Sequence, residues 1–273
     1  MKGVNQMSQR ILQIGILNVM HDKAATNADF RQALTTQNIP VRLHFYYPTT
    51  KYKDQVIPKN VQANLKPLDL KAVAKLDAFI ITGAPIETIP FEDVTYLEEL
   101  KALFKVLEKV PTRLYLCWGA MVALNLLYGI EKHLLPQKLF GVYPQEILHE
   151  SPLLAGLKEG FLAPHARYAE SNLSELRIHP DLVVQATTVR DELFLVQNKI
   201  QNEAFLFSHL EYQASGLEDE YQREITGHPE IHYRRPEMDS GQTAVLTATN
   251  FPWQDTQAKF FENWLKTVAQ NAN

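Results

Sequence analysis

The sequence predicts an α/β protein built as a three-layer sandwich around a mostly parallel sheet. Three observations predict it. Ile11 to Leu17 (ILQIGIL) and Ala78 to Ile81 (AFII) are continuous apolar runs, as expected of strands buried on both faces of a parallel sheet. From Phe91 to Lys109, apolar residues fall at 94, 97, 100, 103, 104 and 107, a helical period. Strand-like and helix-like segments then keep alternating, which is the pattern of crossover-connected parallel strands.

The elements follow in order. After the Ile11–Leu17 strand, the spacing predicts a helix near Asn27 to Thr36 and a strand at Val41 to Tyr46. The Ala78–Ile81 strand ends at Thr82-Gly-Ala-Pro85, a turn, and the 91–109 helix comes next. Arg113-Leu-Tyr-Leu-Cys117 reads as a short buried strand running straight into a helix over Trp118 to Tyr128, stopped by Gly129. Further strands are expected at Leu139–Tyr143, Leu182–Thr188, Leu193–Gln197 and Glu203–Phe207, with helices over 215–225 and 256–269. No repeat or low-complexity linker interrupts the chain. It reads as one domain over residues 1–273, with a polar tail at 1–9 and an irregular stretch at 226–253.

Composition narrows the class of function. The 273 residues are 45% hydrophobic and 21% charged, with a formal net charge of −4. Basic residues are scattered, which argues against a nucleic-acid partner. No apolar run approaches the ~18 residues of a membrane span, and Met1 to Arg10 lacks the apolar core of a signal peptide. A single cysteine excludes an internal disulfide and a cysteine-based zinc site. The expectation is a cytoplasmic protein with no resident metal or cofactor.

Ligands of such folds bind at the carboxyl ends of the strands, so three strand ends carry the candidate chemistry. Cys117 sits at a sharp strand-to-helix turn, which projects its sulfur out of the sheet beside the N–H groups of a helix N-terminus. The plainer alternative is a buried cysteine acting as a small hydrophobe. His209 and Glu211 follow the 203–207 strand at i, i+2, so imidazole and carboxylate can share a face. A glutamate on one ring nitrogen leaves the other to deprotonate a thiol. Gly227-His-Pro-Glu230 repeats the spacing but lies among loop-forming residues, so His209/Glu211 is preferred. Thr82-Gly-Ala-Pro85 exposes backbone N–H groups, and Gly83 and Ala84 are expected to complete an oxyanion hole with the amide of Trp118.

These segments together resemble the homoserine O-acyltransferases, a family on a class I glutamine amidotransferase-like (flavodoxin-like) fold. The resemblance is carried by Ile16-Leu-Asn-Val-Met20, Ile80-Ile-Thr-Gly-Ala-Pro-Ile-Glu87, Phe91-Glu-Asp-Val94 and Leu116-Cys-Trp-Gly-Ala120 with Leu127-Tyr-Gly-Ile130. It continues through Lys138-Leu-Phe-Gly-Val142, Phe161-Leu-Ala-Pro-His-Ala-Arg167 and His209-Leu-Glu-Tyr212 with Leu217, Glu220, Tyr221 and Arg223. It implies ping-pong chemistry: an acyl-CoA acylates Cys117, with His209 as base and Glu211 as its orienter, and an amino-acid hydroxyl then takes the acyl group. It also implies substrate-binding roles for Lys138 and Arg223, the latter as a bidentate carboxylate clamp. A homodimer is the family's usual assembly.

Glu87 bears on the donor. Members of this family with glycine here tend to use succinyl-CoA and those with glutamate acetyl-CoA, because a carboxylate occupies volume and repels a second carboxylate. Acetyl-CoA is therefore the expected cosubstrate. Departures from the family pattern cluster where acceptor recognition is expected. Ala166 replaces a hydroxyl-bearing serine, and Met20-His-Asp-Lys23 retains one lysine of two. After Arg223 the match fades. Homoserine is the default acceptor, with methionine biosynthesis as its setting. Serine, feeding cysteine biosynthesis, differs by one methylene, worth only about 1–3 kcal/mol of discrimination. Two other readings stay open: a hydrolase or glutaminase using the same three residues, and a non-catalytic binding protein on the same scaffold.

Overall fold

The computed structural model describes residues 10–35, 38–200, 202–238 and 250–272. In chain order the regular elements are β1 (Leu12–Leu17), α1 (Lys23–Thr35), β2 (Val41–Tyr47), α2 (Lys59–Asn64), β3 (Lys66–Pro67), α3 (Leu70–Val73), β4 (Ala78–Ile81) and α4 (Leu97–Leu107). There follow β5 (Thr112–Leu116), α5 (Trp118–Tyr128), β6 (Lys132–Ile147), β7 (Phe161–Ser171), α6 (Leu173–Ile178), β8 (Leu182–Thr188) and β9 (Leu193–Asn198). The last are β10 (Glu203–Leu206), α7 (Gly216–Gly227), β11 (Glu237–Met238) and α8 (Gln254–Asn271).

One sheet joins all the strands in the order β11-β6-β8-β9-β10-β5-β4-β1-β2-β3, with β7 on β6. From β10 to β3 every pairing is parallel. Beyond β10 the strands β9, β8, β6 and β7 pair antiparallel. Alternate residues of the parallel strands feed two cores. Ile14, Ile16, Ile80, Leu114 and Leu116 pack with Phe30 of α1 and Phe260 and Trp264 of α8. Leu17, Phe79, Ile81 and Tyr115 pack with Leu100 and Leu103 of α4 and Met121 of α5. Helices thus cover both faces, giving the three layers that continuous apolar strands require.

Several expectations change in detail. The helix expected over 91–109 is a short 3-10 turn at Phe91–Asp93, an extended Val94, and then α4. Val94 is buried on its own account, so its place in the apolar period is not evidence of helix there. The strand at 139–143 is the middle of the much longer β6. Pro164 hides β7 from sequence patterning, since proline donates no ladder hydrogen bond. It is accommodated because β7 pairs with β6 alone. The stretch expected to be irregular begins inside α7, which runs to Gly227, and contains β11. Residues 239–249 of it, and the tail at 1–9, lie outside the described residues. Among the described residues no helix is long and apolar enough to cross a membrane.

Candidate active site

The ladder register brings three strand ends together. Ile81 pairs with Tyr115, and Leu206 with Leu116, so β4, β5 and β10 release their next residues side by side. A Cβ on Gly83, just past β4, would lie 3.0 Å from His209 Cε1 and 3.3 Å from Cys117 Cβ. The strand ends that the sequence singled out therefore meet at one point, and a side chain at Gly83 would crowd both His209 and Cys117.

Cys117 takes φ 48°, ψ −113°, a left-handed conformation rarely adopted by a residue with a side chain. Such a residue costs about 1–3 kcal/mol and persists where its surroundings over-determine it. Here its N–H donates to Leu206 O at 2.7 Å and its carbonyl accepts from Met121 N at 3.0 Å, tying the turn to β10 and to α5. α5 can start this close to the sheet because its second residue is Gly119. A Cβ there would lie 2.7 Å from the carbonyl oxygens of Ile81 and Thr82. As first residue of α5, Trp118 has an N–H with no partner inside the helix. The Trp118 ring itself is buried edge-on against Tyr96.

His209 hydrogen-bonds with the Cys117 side chain and, through Nδ1, with Glu211 Oε1 at 2.8 Å. Burial disfavours the imidazolium, but Glu211 and Cys117 outweigh it and raise the His209 pKa well above its usual range. The ring stacks on Tyr212 with centroids 4.6 Å apart. The backbone is fixed as well: His209 N donates to Pro164 O at 3.0 Å, and Arg167 donates to Phe207 O at 3.0 Å. From α8, Gln257 donates to Leu210 O and Tyr212 O at 2.6 and 3.1 Å, holding the turn that carries Glu211. The competing pair, His228 and Glu230, is exposed and 3.4 Å apart on the rim of the same cavity.

That cavity, about 710 Å³, has Cys117 and His209 in its lining together with Ala84, Glu87, Glu220, Arg223 and Glu224. Arg223 is exposed on α7, as a clamp for an incoming carboxylate requires. Glu87 is buried and accepts from Tyr168 N at 3.3 Å. Burial, aided by Glu220, raises its pKa. Lys138 reaches the site at one remove. It occupies the register shift in β6 between Leu134 and Leu139, where a bulge re-aims the side chain. Its ammonium pairs with Glu220, and with Glu224 at 2.7 Å, rather than lining the cavity.

Two expected substrate contacts are not where the sequence suggested. Ala166 is packed in the apolar core opposite Phe140, so it does not line the cavity. Lys23 is buried, donates to Asn18 O at 3.3 Å and to Met20 O, and faces an adjoining cleft. Conversely, Tyr212, Glu220 and Glu224 were given no role from sequence, yet Tyr212 supports the His209 ring and donates to Glu220 at 2.9 Å. Tyr212 lies in the His209 turn itself, and Glu220 and Glu224 follow one turn apart on α7, a spacing the sequence displays. Among the described residues no group of three or more His, Cys, Asp or Glu side chains is placed to hold a metal ion.

Comparison with known proteins fits this geometry. A glutamine amidotransferase from Thermotoga maritima superposes with a TM-score of 0.65 over 96% of this chain and 99% of its own, at 12% identity, which shows a shared fold. A protein of Lacticaseibacillus casei named serine O-acetyltransferase is 48% identical over 268 residues, 98% of this chain and 99% of that one. A homoserine O-acetyltransferase of Thermotoga petrophila is 33% identical over 260 residues, 94% of this chain and 84% of that one. The family described as homoserine O-succinyltransferase matches residues 2–273. With a relative at 48% identity end to end and a family match over nearly every residue, this chain belongs to the homoserine O-succinyltransferase family.

Proposed function

We propose that the protein transfers an acetyl group from acetyl-CoA, through a thioester on Cys117, to the hydroxyl of serine. The observation that carries the reaction is the buried Cys117–His209–Glu211 array opening onto a cavity whose far wall holds Arg223. His209 takes the proton from Cys117, and the sulfur attacks the acetyl carbonyl. The oxyanion is received by the Trp118 amide and by those of Gly83 and Ala84. The intermediate collapses to acetyl-Cys117, and the departing CoA sulfur takes the proton from His209. In the second half, His209 deprotonates the serine hydroxyl, which attacks the thioester. O-acetylserine leaves, and the Cys117 sulfur recovers its proton.

Arg223 would bind the acceptor carboxylate with two parallel hydrogen bonds, and the carboxylates of Glu220 and Glu224 would face its ammonium. Lys138, paired to both, offsets their mutual repulsion. Glu87 would exclude a longer, anionic acyl group by filling the space beside Cys117. Serine is preferred over homoserine because the 48%-identical relative, aligned over 98% of this chain, is named for serine. Homoserine is the second reading, supported by the family description and by the 33%-identical relative. A cytoplasmic homodimer acting in cysteine or methionine biosynthesis completes this reading.

The test is a two-part assay. Wild-type protein incubated with acetyl-CoA and no acceptor should gain one acetyl group on Cys117 by intact mass, and Cys117→Ala should gain none and turn nothing over. Serine and homoserine then compete for the acetylated enzyme. Absence of the adduct sinks the covalent mechanism, and preference for homoserine reverses the acceptor.

A further inference from the structure

Beside the catalytic cavity lies a second cleft of about 320 Å³ whose chemistry the acetyl transfer does not use. The two are continuous, since Met20, His21, Ala84 and Pro85 line both. Its cationic lining is Lys23, Lys51 and His21. Lys23 is buried and Lys51 half-buried on the loop after β2. Burial first, then the Lys51 charge, lowers the Lys23 pKa to about 7 against the pull of Asp22, and burial lowers that of Lys51. His21 is lowered too, by burial and then by Arg223, Lys23 and Lys51.

Two carboxylates lie near these groups, and Asp22 partly offsets the charge of Lys23 and His21. Asp22 Oδ1 accepts from the backbone of Ala24 and Ala25, both at 3.0 Å, at the start of α1. Glu99 of α4 accepts from the backbone and hydroxyl groups of Thr49 and Thr50 at 2.6–2.9 Å. That fourfold grip fixes the loop presenting Lys51 and occupies both oxygens of the carboxylate. The Lys51 ammonium instead lies 5.6 Å from the centre of the Tyr96 ring and 5.9 Å from that of Tyr52. Two like charges held together in a semi-enclosed cleft, with a third basic group between them and Cys117, form a site that an anion would relieve.

We propose that this cleft is the subsite for the phosphate groups of the acyl-CoA donor, with Lys51 as their principal contact and His21 at the passage to Cys117. The inference rests on the acyl-CoA reading above and deepens it. The thioester end would lie in the large cavity against Cys117, the pantetheine arm would cross the rim shared by the two clefts, and the phosphates would sit between Lys51 and Lys23. Arg223, proposed for the acceptor, lines the large cavity and not this cleft.

The experiment compares two donors with the same thioester: acetyl-CoA, and acetyl-pantetheine, which has no phosphate. Wild type should prefer acetyl-CoA. Lys51→Ala should lower the ratio of kcat/KM for acetyl-CoA to that for acetyl-pantetheine by about tenfold or more, the scale of one charge-assisted hydrogen bond. Lys51→Glu should lower it further, Lys51→Arg should restore most of it, and the acetyl-CoA preference of wild type should weaken with added salt. Substituting 3′-dephospho-CoA in calorimetric titrations of wild type and Lys51→Glu tells the terminal phosphate from the diphosphate. A ratio within twofold of wild type in Lys51→Glu, or equal loss with both donors, overturns the subsite. If wild type accepts neither thioester, the acyl-CoA reading itself falls and the subsite with it.

Discussion

At the scale of single residues, the site is defined by conformational cost and by charge. Cys117 keeps a Cβ at φ 48°, and relief of that strain is open only to glycine. In most places alanine is more stable than glycine by about 0.4–1 kcal/mol, through its stiffer unfolded chain. Here the order should invert: Cys117→Gly should melt higher than Cys117→Ala, both inactive, in differential scanning calorimetry. The usual order would mean that the turn holds no strain. Glu87 gives the second test at this scale. Glu87→Gly should gain succinyl-CoA turnover relative to the wild type, by removing volume and charge together. Its raised pKa means the buried carboxyl is biased toward its neutral form, so charge carries less of the exclusion than bulk. Glu87→Gln should therefore gain little. A large gain in Glu87→Gln, read as the ratio of succinyl-CoA to acetyl-CoA turnover, would assign the exclusion to charge.

At the scale of elements, the turns matter more than the helices and strands they join. Gly119 lets α5 begin against the carbonyls of β4, and alanine there would overlap backbone oxygen rather than a movable side chain. Overpacking of this kind costs about 1–3 kcal/mol, so Gly119→Ala should lower Tm by several degrees and reduce acylation of Cys117 by tilting α5. An unchanged Tm would mean the helix start yields freely. This scale also shows what patterning reveals. β1, β4, β5 and α5 were readable nearly to the residue, because strands buried on both faces and a helix stopped by Gly129 leave unambiguous marks. β7 was not, because an edge position can tolerate Pro164, and tolerance leaves no pattern. Lys138 and Ala166 were placed from motif resemblance, which says that a residue is near a site but not which way it faces. The bulge in β6 and the pleat of β7 decide that, and neither is written in residue spacing.

At the scale of the whole molecule, folding stability and catalysis share acidic groups. Asp29 on α1 has its pKa raised to about 7, by burial first and then by Glu211, Asp219 and Asp22. The folded protein therefore keeps a proton that the unfolded chain releases above its ordinary value of 3.8. Stability from this group is present at low pH and is lost as pH rises through about 7. Relative to Asp29→Asn, wild type should lose Tm progressively between about pH 4 and about pH 7 and level off above that. Parallel Tm profiles would show that Asp29 titrates normally. The sheet itself carries a wider consequence. The turns after β4, β5 and β10 in the parallel half carry Gly83, Cys117, His209 and Glu211, the residues to which the proposed thioester chemistry is assigned. The rest of the cavity wall comes from Ala84, Pro85 and Glu87 after β4, from Tyr168 of β7 and from Glu220, Arg223 and Glu224 of α7. Both half-reactions of the proposed mechanism thus share the Cys117 and His209 turns, while Glu220, Arg223 and Glu224, proposed for the acceptor, sit on α7. On the proposed mechanism, substitutions along one face of α7 would exchange one hydroxyl acceptor for another while the nucleophile and its base stand still, so a lineage could change its product without passing through an inactive ancestor.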